Sequence, residues 1–182
     1  MTPCKKNPHP FPIKTPITIP NHLTYFESLT NNDTPMTDLT ITRTFPVSPQ
    51  QIFNAFTHPP DMRVWWTDDT VFNIDLRVDG RWTITRKEGD TTYLMTGKYL
   101  EVNAPHRMKY TIGMPQFSPN SDVITIDTEQ LNNEISKMTF IQSGPDITAE
   151  LEGLPEGQTS ESEKGWQQGF DLMEEAWNKQ SA

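Results

Sequence analysis

The sequence is short of cysteine, of clustered basic charge and of long apolar runs. Cys4 is its single cysteine, so no internal disulfide can form and stability must come from burial. With 182 residues the chain is long enough for that, since a domain of roughly 150 residues buries about 68 to 70% of its unfolded surface. Lys and Arg number 15 against 24 Asp and Glu, a net charge of -9. Nucleic acid is excluded as an expected partner, because phosphate binding draws on grouped Lys and Arg that are not there. No apolar run approaches the roughly 18 residues that cross a bilayer, and none follows Lys5 and Lys6 to make a secretory leader. The expectation is a soluble cytoplasmic protein without a membrane span, monomeric or homodimeric.

Signatures of catalysis are equally sparse. His9, His22, His58 and His106 lie far apart in sequence without metal-ligand spacing, and a zinc or iron site needs three or four converging ligands. Asp68 and Asp69 precede no glycine-turned loop of alternating acids, so they predict a solvated or capping loop and no cation site. No serine stands in a nucleophile elbow, and no glycine-rich loop joins a strand to a helix. No cofactor or metal is expected. Acid-base chemistry would fall to strand residues, with Arg43, Arg86 and Glu101 the ones to inspect, and a surface or ion-paired role is the structural alternative for each.

Proline and aromatics are what the chain has in quantity. Seven of the 16 prolines fall within residues 1–35, which reads as an extended, irregular arm preceding a domain over 36–182. From Leu39, alternation of Leu39, Ile41 and Phe45 with threonines predicts a half-buried strand. Then Ser48, Pro49 and Gln51, with Val47 and Ile52 as a hydrophobic staple, predict a helix start. A second short helix restarts after Pro59 and Pro60. Strands are predicted over about 71–77, 81–87, 92–102, 107–114, 122–130 and 135–142, separated by turn residues. In the first of these hairpins, a three-residue loop from Val78 to a left-handed Gly80 would pair Leu76 with Trp82 and turn both apolar sets inward. The last helix starts at a Ser160–Glu163 capping box and runs to about Lys179. Its Trp166, Phe170, Met173 and Trp177 fall within about 60° of one another, flanked by Gly165, Gly169, Leu172 and Ala176.

This order of elements resembles the helix-grip fold, an α+β fold in which a curved seven-stranded antiparallel sheet wraps around a long C-terminal helix, with two short helices after the first strand. The stretches "LTITRTFPVSPQQIFNAFTHPPDMRVWW", "DLRVDGRW", "GKYLEVNAPHRMKYT", "KMTFIQSG" and "GWQQGFDLMEEAW" are similar to the family related to activators of the heat-shock-protein ATPase, within the START and birch-pollen-allergen-like (SRPBCC) superfamily. The resemblance spans residues 38–178 and implies space between the concave sheet and the last helix. The expected occupant is a small apolar or aromatic molecule. Candidate contacts are Trp65 and Trp66 at the end of the second short helix, and Trp82, Tyr99, Tyr110 and Phe140 on strands. Met114 ends the strand predicted over 107–114 and Phe117 follows it, and Trp166, Gly169, Phe170 and Met173 lie on the last helix. Two alternatives stay open: a cyclase or dehydratase-type enzyme using a polar residue in that space, and a regulatory, co-chaperone-like interaction domain. Gly169 costs about 1 kcal/mol in a helix interior, which points to a local need for room.

Overall fold

A computed structural model describes residues 37–180; the arm expected over 1–35 lies outside them. Strand β1 (Leu39–Phe45) leads through Pro46 into α1 (Pro49–Thr57) and the four-residue α2 (Pro59–Met62). The helix start is as the sequence dictates. The Ser48 Oγ accepts from the Gln51 N–H while the Gln51 Oε1 accepts from the Ser48 N–H at 3.1 Å, and Val47 and Ile52 are both buried. Pro59 and Pro60 cannot supply the N–H groups that would continue α1, so the chain turns a corner at His58.

Six further strands follow: β2 (Val71–Ile74), β3 (Arg81–Glu88), β4 (Thr91–Asn103), β5 (Arg107–Ile112), β6 (Asp122–Gln130) and β7 (Ser136–Ser143). Then come α3 (Pro145–Glu152) and α4 (Glu161–Gln180). The strands form one seven-stranded sheet in the order β1-β7-β6-β5-β4-β3-β2, every pairing antiparallel. Alternation along each strand sends one set of side chains to the concave face. On β3 and β4 the inward rows are Trp82 opposite Gly97, Ile84 opposite Met95 and Arg86 opposite Tyr93. The β4–β5 pairing slips between Tyr99 and Glu101, and such a bulge bends and twists the strand that carries it.

Helix α4 lies across the opposite half of that face. The Trp177 ring meets Phe45 of β1 edge-on at 5.2 Å, and Phe170 and Trp166 pack on Phe140 of β7 at 5.5 and 4.4 Å. The Ser160 Oγ accepts from the Glu163 N–H at 2.9 Å, the N-cap half of the expected capping box. From β1, Arg43 reaches the polar flank of α4. Its Nη1 donates to Gln167 and Asp171, both at 2.9 Å, and its Nη2 to Glu174 at 2.6 Å.

Two expectations need correcting. The β2–β3 connection is longer than three residues: β2 ends at Ile74, which pairs with Trp82, and Leu76 is 41% exposed instead of facing the core. The left-handed residue is Asp79, at φ 61°, not Gly80. The cause is tertiary: the Asp79 N–H donates to the Tyr99 carbonyl and the Tyr99 N–H to the Gly80 carbonyl, at 2.8 and 2.9 Å, so the loop is shaped by β4. Glycine stands at 80 because a Cβ there would lie 2.0 Å from the Asp75 carbonyl oxygen. The predicted face is nevertheless right, for Phe72 and Ile74 oppose Ile84 and Trp82. Second, α3 has no counterpart in the sequence reading. Its first turn is held from β6, where Asp122 accepts from the Asp146 and Ile147 N–H groups, each at 3.0 Å.

Candidate functional site

The site grows from the corner after α1. Between α2 and β2 the chain makes turns that present two neighbouring indoles inward. Trp65 is fixed by its Nε1–H donating to the Ala55 carbonyl at 2.8 Å, which ties this segment back to α1. Its ring stands 5.4 Å from Phe56, 5.2 Å from Trp66 and 6.4 Å from Trp166. Trp66 meets Phe72 of β2 edge-on at 6.1 Å. Trp166 is aimed by a buried polar relay. Its Nε1–H donates to Gln142 Oε1, and Gln142 Nε2 donates to Asp122 Oδ2, both at 2.8 Å. The carboxylate that starts α3 thus also orients the indole on α4.

Between this aromatic wall and strands β3, β4 and β5 lies a cavity of about 30 Å³. That is room for one or two water molecules. Six candidate residues line it: Trp65, Trp66, Trp82, Tyr99, Tyr110 and Trp166. Phe56, Met62, Ile74, Ile84, Met95 and Ile112, which are not among the candidate contacts, complete the lining. The signal for Ile74 and Ile84 was present, because alternation places both on the Trp82 face. Phe140, Phe170 and Met173 are fully buried and pack the half of the core under α4. Gly169 is buried on α4 beside Phe170, away from the lining. Met114 and Phe117 are half-buried in the loop after β5, outside the lining, and the Phe117 ring stacks on Tyr93 at 6.1 Å.

The strand side of the cavity carries Trp82, Tyr99 and Tyr110. Trp82 is 4% exposed, and among the described residues its buried Nε1–H has no hydrogen-bond partner. Its indole meets Tyr110 edge-on at 5.6 Å, and Tyr110 lies 6.0 Å from Tyr99. Burial pushes both tyrosine hydroxyls well above their ordinary value of 10.0, and for Tyr110 the neighbouring Tyr99 adds to the rise. Both are therefore neutral hydrogen-bonding groups at physiological pH. Among the described residues no charged side chain lines the cavity. Of the other strand residues singled out, Arg43 lies in the clamp on α4, and Glu101 pairs with Arg107 at 3.3 Å. Arg86 is buried on the concave face, one row beyond Ile84. His58 bonds Asp61 at 2.8 Å at the surface, and among the described residues no three His, Cys, Asp or Glu side chains converge on a metal site. Among the described residues no helix is long and apolar enough to cross a membrane.

A family model described as "Activator of Hsp90 ATPase homolog 1-like protein" matches residues 46–178. No curated protein matches the chain. Solved structures share the fold. A protein from Arthrobacter aurescens has a TM-score of 0.63 at 15% identity, covering 82% of this chain and 90% of its own. A protein of unknown function from Staphylococcus aureus also has a TM-score of 0.63, at 16% identity, covering 80% and 95%. An HSP90 activator from Plasmodium falciparum is matched with a TM-score of 0.50 at 19% identity, over 58% of this chain and 71% of that one.

Proposed function

The chain belongs to the Activator of Hsp90 ATPase homolog 1-like family, and we propose that this member binds a small, mainly apolar aromatic molecule in the cavity between Trp166 of α4 and strands β3 to β5, in the cytoplasm and without covalent chemistry. The observation that carries the reading is the unpartnered indole N–H of Trp82. Leaving a buried donor unsatisfied costs about 1 to 3 kcal/mol, a cost that a carbonyl or hydroxyl oxygen on a bound molecule would remove. An apolar cavity with a few converging polar groups is the usual form of a small-molecule site. At about 30 Å³ the cavity takes such a molecule only if its walls move, and Met62 and Met95 in the lining are adaptable enough to do so. Proton-transfer chemistry is less well supported, because Tyr99 and Tyr110 are the ionisable groups of the lining and burial keeps both protonated.

The test uses 2-acetylnaphthalene, a flat probe with one carbonyl acceptor, read by thermal unfolding and tryptophan emission. A ligand at 100 times its dissociation constant stabilises by about 2.7 kcal/mol, so the melting point rises if the reading is right. Trp82→Phe should weaken binding by about 3- to 10-fold, the worth of one neutral hydrogen bond. An unchanged melting point and emission spectrum up to the solubility of the probe would overturn the proposal.

A second reading, a domain that regulates a protein partner, is favoured by one observation. Val71, Leu76 and Val78 are 56, 41 and 53% exposed on the edge strand β2 and its loop. If that edge docks on an Hsp90-type ATPase, adding the protein raises ATP turnover and Val71→Lys abolishes the rise; no change in turnover refutes this reading.

A further inference from the structure

Arg86 is the charged residue on the concave face that the fold leaves least provided for. It is 7% exposed, and among the described residues its buried Nε–H has no hydrogen-bond partner. Among the described residues its one hydrogen bond runs from Nη2 to Glu88 Oε2 at 2.9 Å, and Glu88, two residues along the same strand, is 37% exposed. A guanidinium carries five N–H donors in a planar fork, and burying such a charge is costly unless it is paired and hydrogen-bonded. One face of the fork is covered: the Arg86 Cζ stands 5.8 Å from the centre of the Tyr93 ring, and Phe117 backs that ring. The Nε edge is the part left without a partner.

Its position connects it with the cavity. Ile84 and Met95 form the last inward row of β3 and β4 that lines the cavity, and Arg86 with Tyr93 forms the next row. Successive rows on one face of a strand are about 7 Å apart, the reach of a two-atom side arm on an aromatic ring. We infer that Arg86 is the anchor for a carboxylate on the bound molecule, so that the ligand class is an aromatic acid with its ring against Trp65 and Trp166 and its carboxylate on the Nε edge of Arg86. This rests on the cavity being a ligand site. The planar fork matches two carboxylate oxygens, and a charge-assisted pair of this kind is roughly twice as strong as a neutral hydrogen bond.

The test compares 2-naphthylacetic acid with its neutral amide by tryptophan emission on the full chain, with circular dichroism confirming that each variant is folded. The acid should bind wild type at least about 10-fold tighter than the amide, the range expected for a hydrogen bond to a charged group. Arg86→Gln should abolish that preference and leave the amide within about 2-fold, while Arg86→Lys, which keeps the charge without the fork, should retain part of it. Equal binding of acid and amide to wild type, or an equal loss of both in Arg86→Gln, overturns the carboxylate anchor while the ligand reading stands. Failure of both compounds to bind overturns the two together. If Arg86→Gln does not fold, Glu88→Gln decides: removal of the competing carboxylate should tighten the acid and not the amide, and an unchanged acid affinity refutes the anchor.

Discussion

Gly97 shows at the scale of one residue how the concave face is built. A Cβ at that position would lie 1.7 Å from the Thr111 carbonyl oxygen and 2.8 Å from Trp82 Nε1, so the missing side chain is what lets β5 and the Trp82 indole both come close. Gly97→Ala must force strand β4 away from β5, and a change of that kind belongs among the most damaging substitutions, at about 4 kcal/mol or more. Urea unfolding would show it, and a loss under about 1 kcal/mol would mean the strands give way easily. Trp82→Phe should behave oppositely. It removes an unsatisfied donor along with some volume, so in the absence of ligand the unfolding free energy measured in urea should stay within about 1 kcal/mol of wild type. The sequence showed which face Trp82 occupies, through alternation. It could not show that the indole N–H has no partner, because that depends on which groups of β4 and β5 come near. The same limit applies to Arg86: its spacing from Trp82 and Ile84 put it on the inner face, and only the packing shows that a single carboxylate answers it.

At the scale of elements, α1 and α4 were legible because their start signals are local: both caps are made by residues within four positions of each other. Ser160→Ala should therefore cost about 1 kcal/mol, the usual worth of an N-cap, measured by chemical denaturation. Helix α3 was not legible, since the group that satisfies its first N–H donors is Asp122, more than twenty positions earlier on β6. The extent of the β2–β3 loop was missed for a related reason, its hydrogen bonds being made to Tyr99 of β4. Along α4 the cavity ends at Trp166, while Gly169 is buried beside Phe170. Gly169→Leu should then overpack the filled half of the core at about 1 to 3 kcal/mol and leave the binding of a naphthyl probe unchanged; loss of binding with full stability would place the ligand against Gly169 instead.

Across the whole molecule, Asp122 joins sheet, α3 and α4 through one buried carboxyl. Burial pushes it above its ordinary 3.8, outweighing the pull of Gln142, Asp146 and Ile147, whose hydrogen bonds favour the charged form. A carboxyl raised in the folded state holds its proton longer there than in the unfolded chain, so its stabilising effect is complete below about pH 3.8 and is lost as pH rises through the raised value. The stability difference between wild type and Asp122→Asn, followed by urea unfolding across the acid range, should shrink with rising pH; a difference that grows would mean the hydrogen bonds win. The strand order carries a further consequence, for events on the ribosome. Strands β2 to β7 form neighbour by neighbour as they are made, but β1 must wait for β7, with Leu39 opposite Gln142. At about 5 to 20 residues per second of synthesis, that separation leaves β1 without its partner for roughly 5 to 20 s. For that interval the nascent chain carries Leu39, Ile41 and Phe45 on an unpaired strand, so the sheet closes only when its last-made strand emerges.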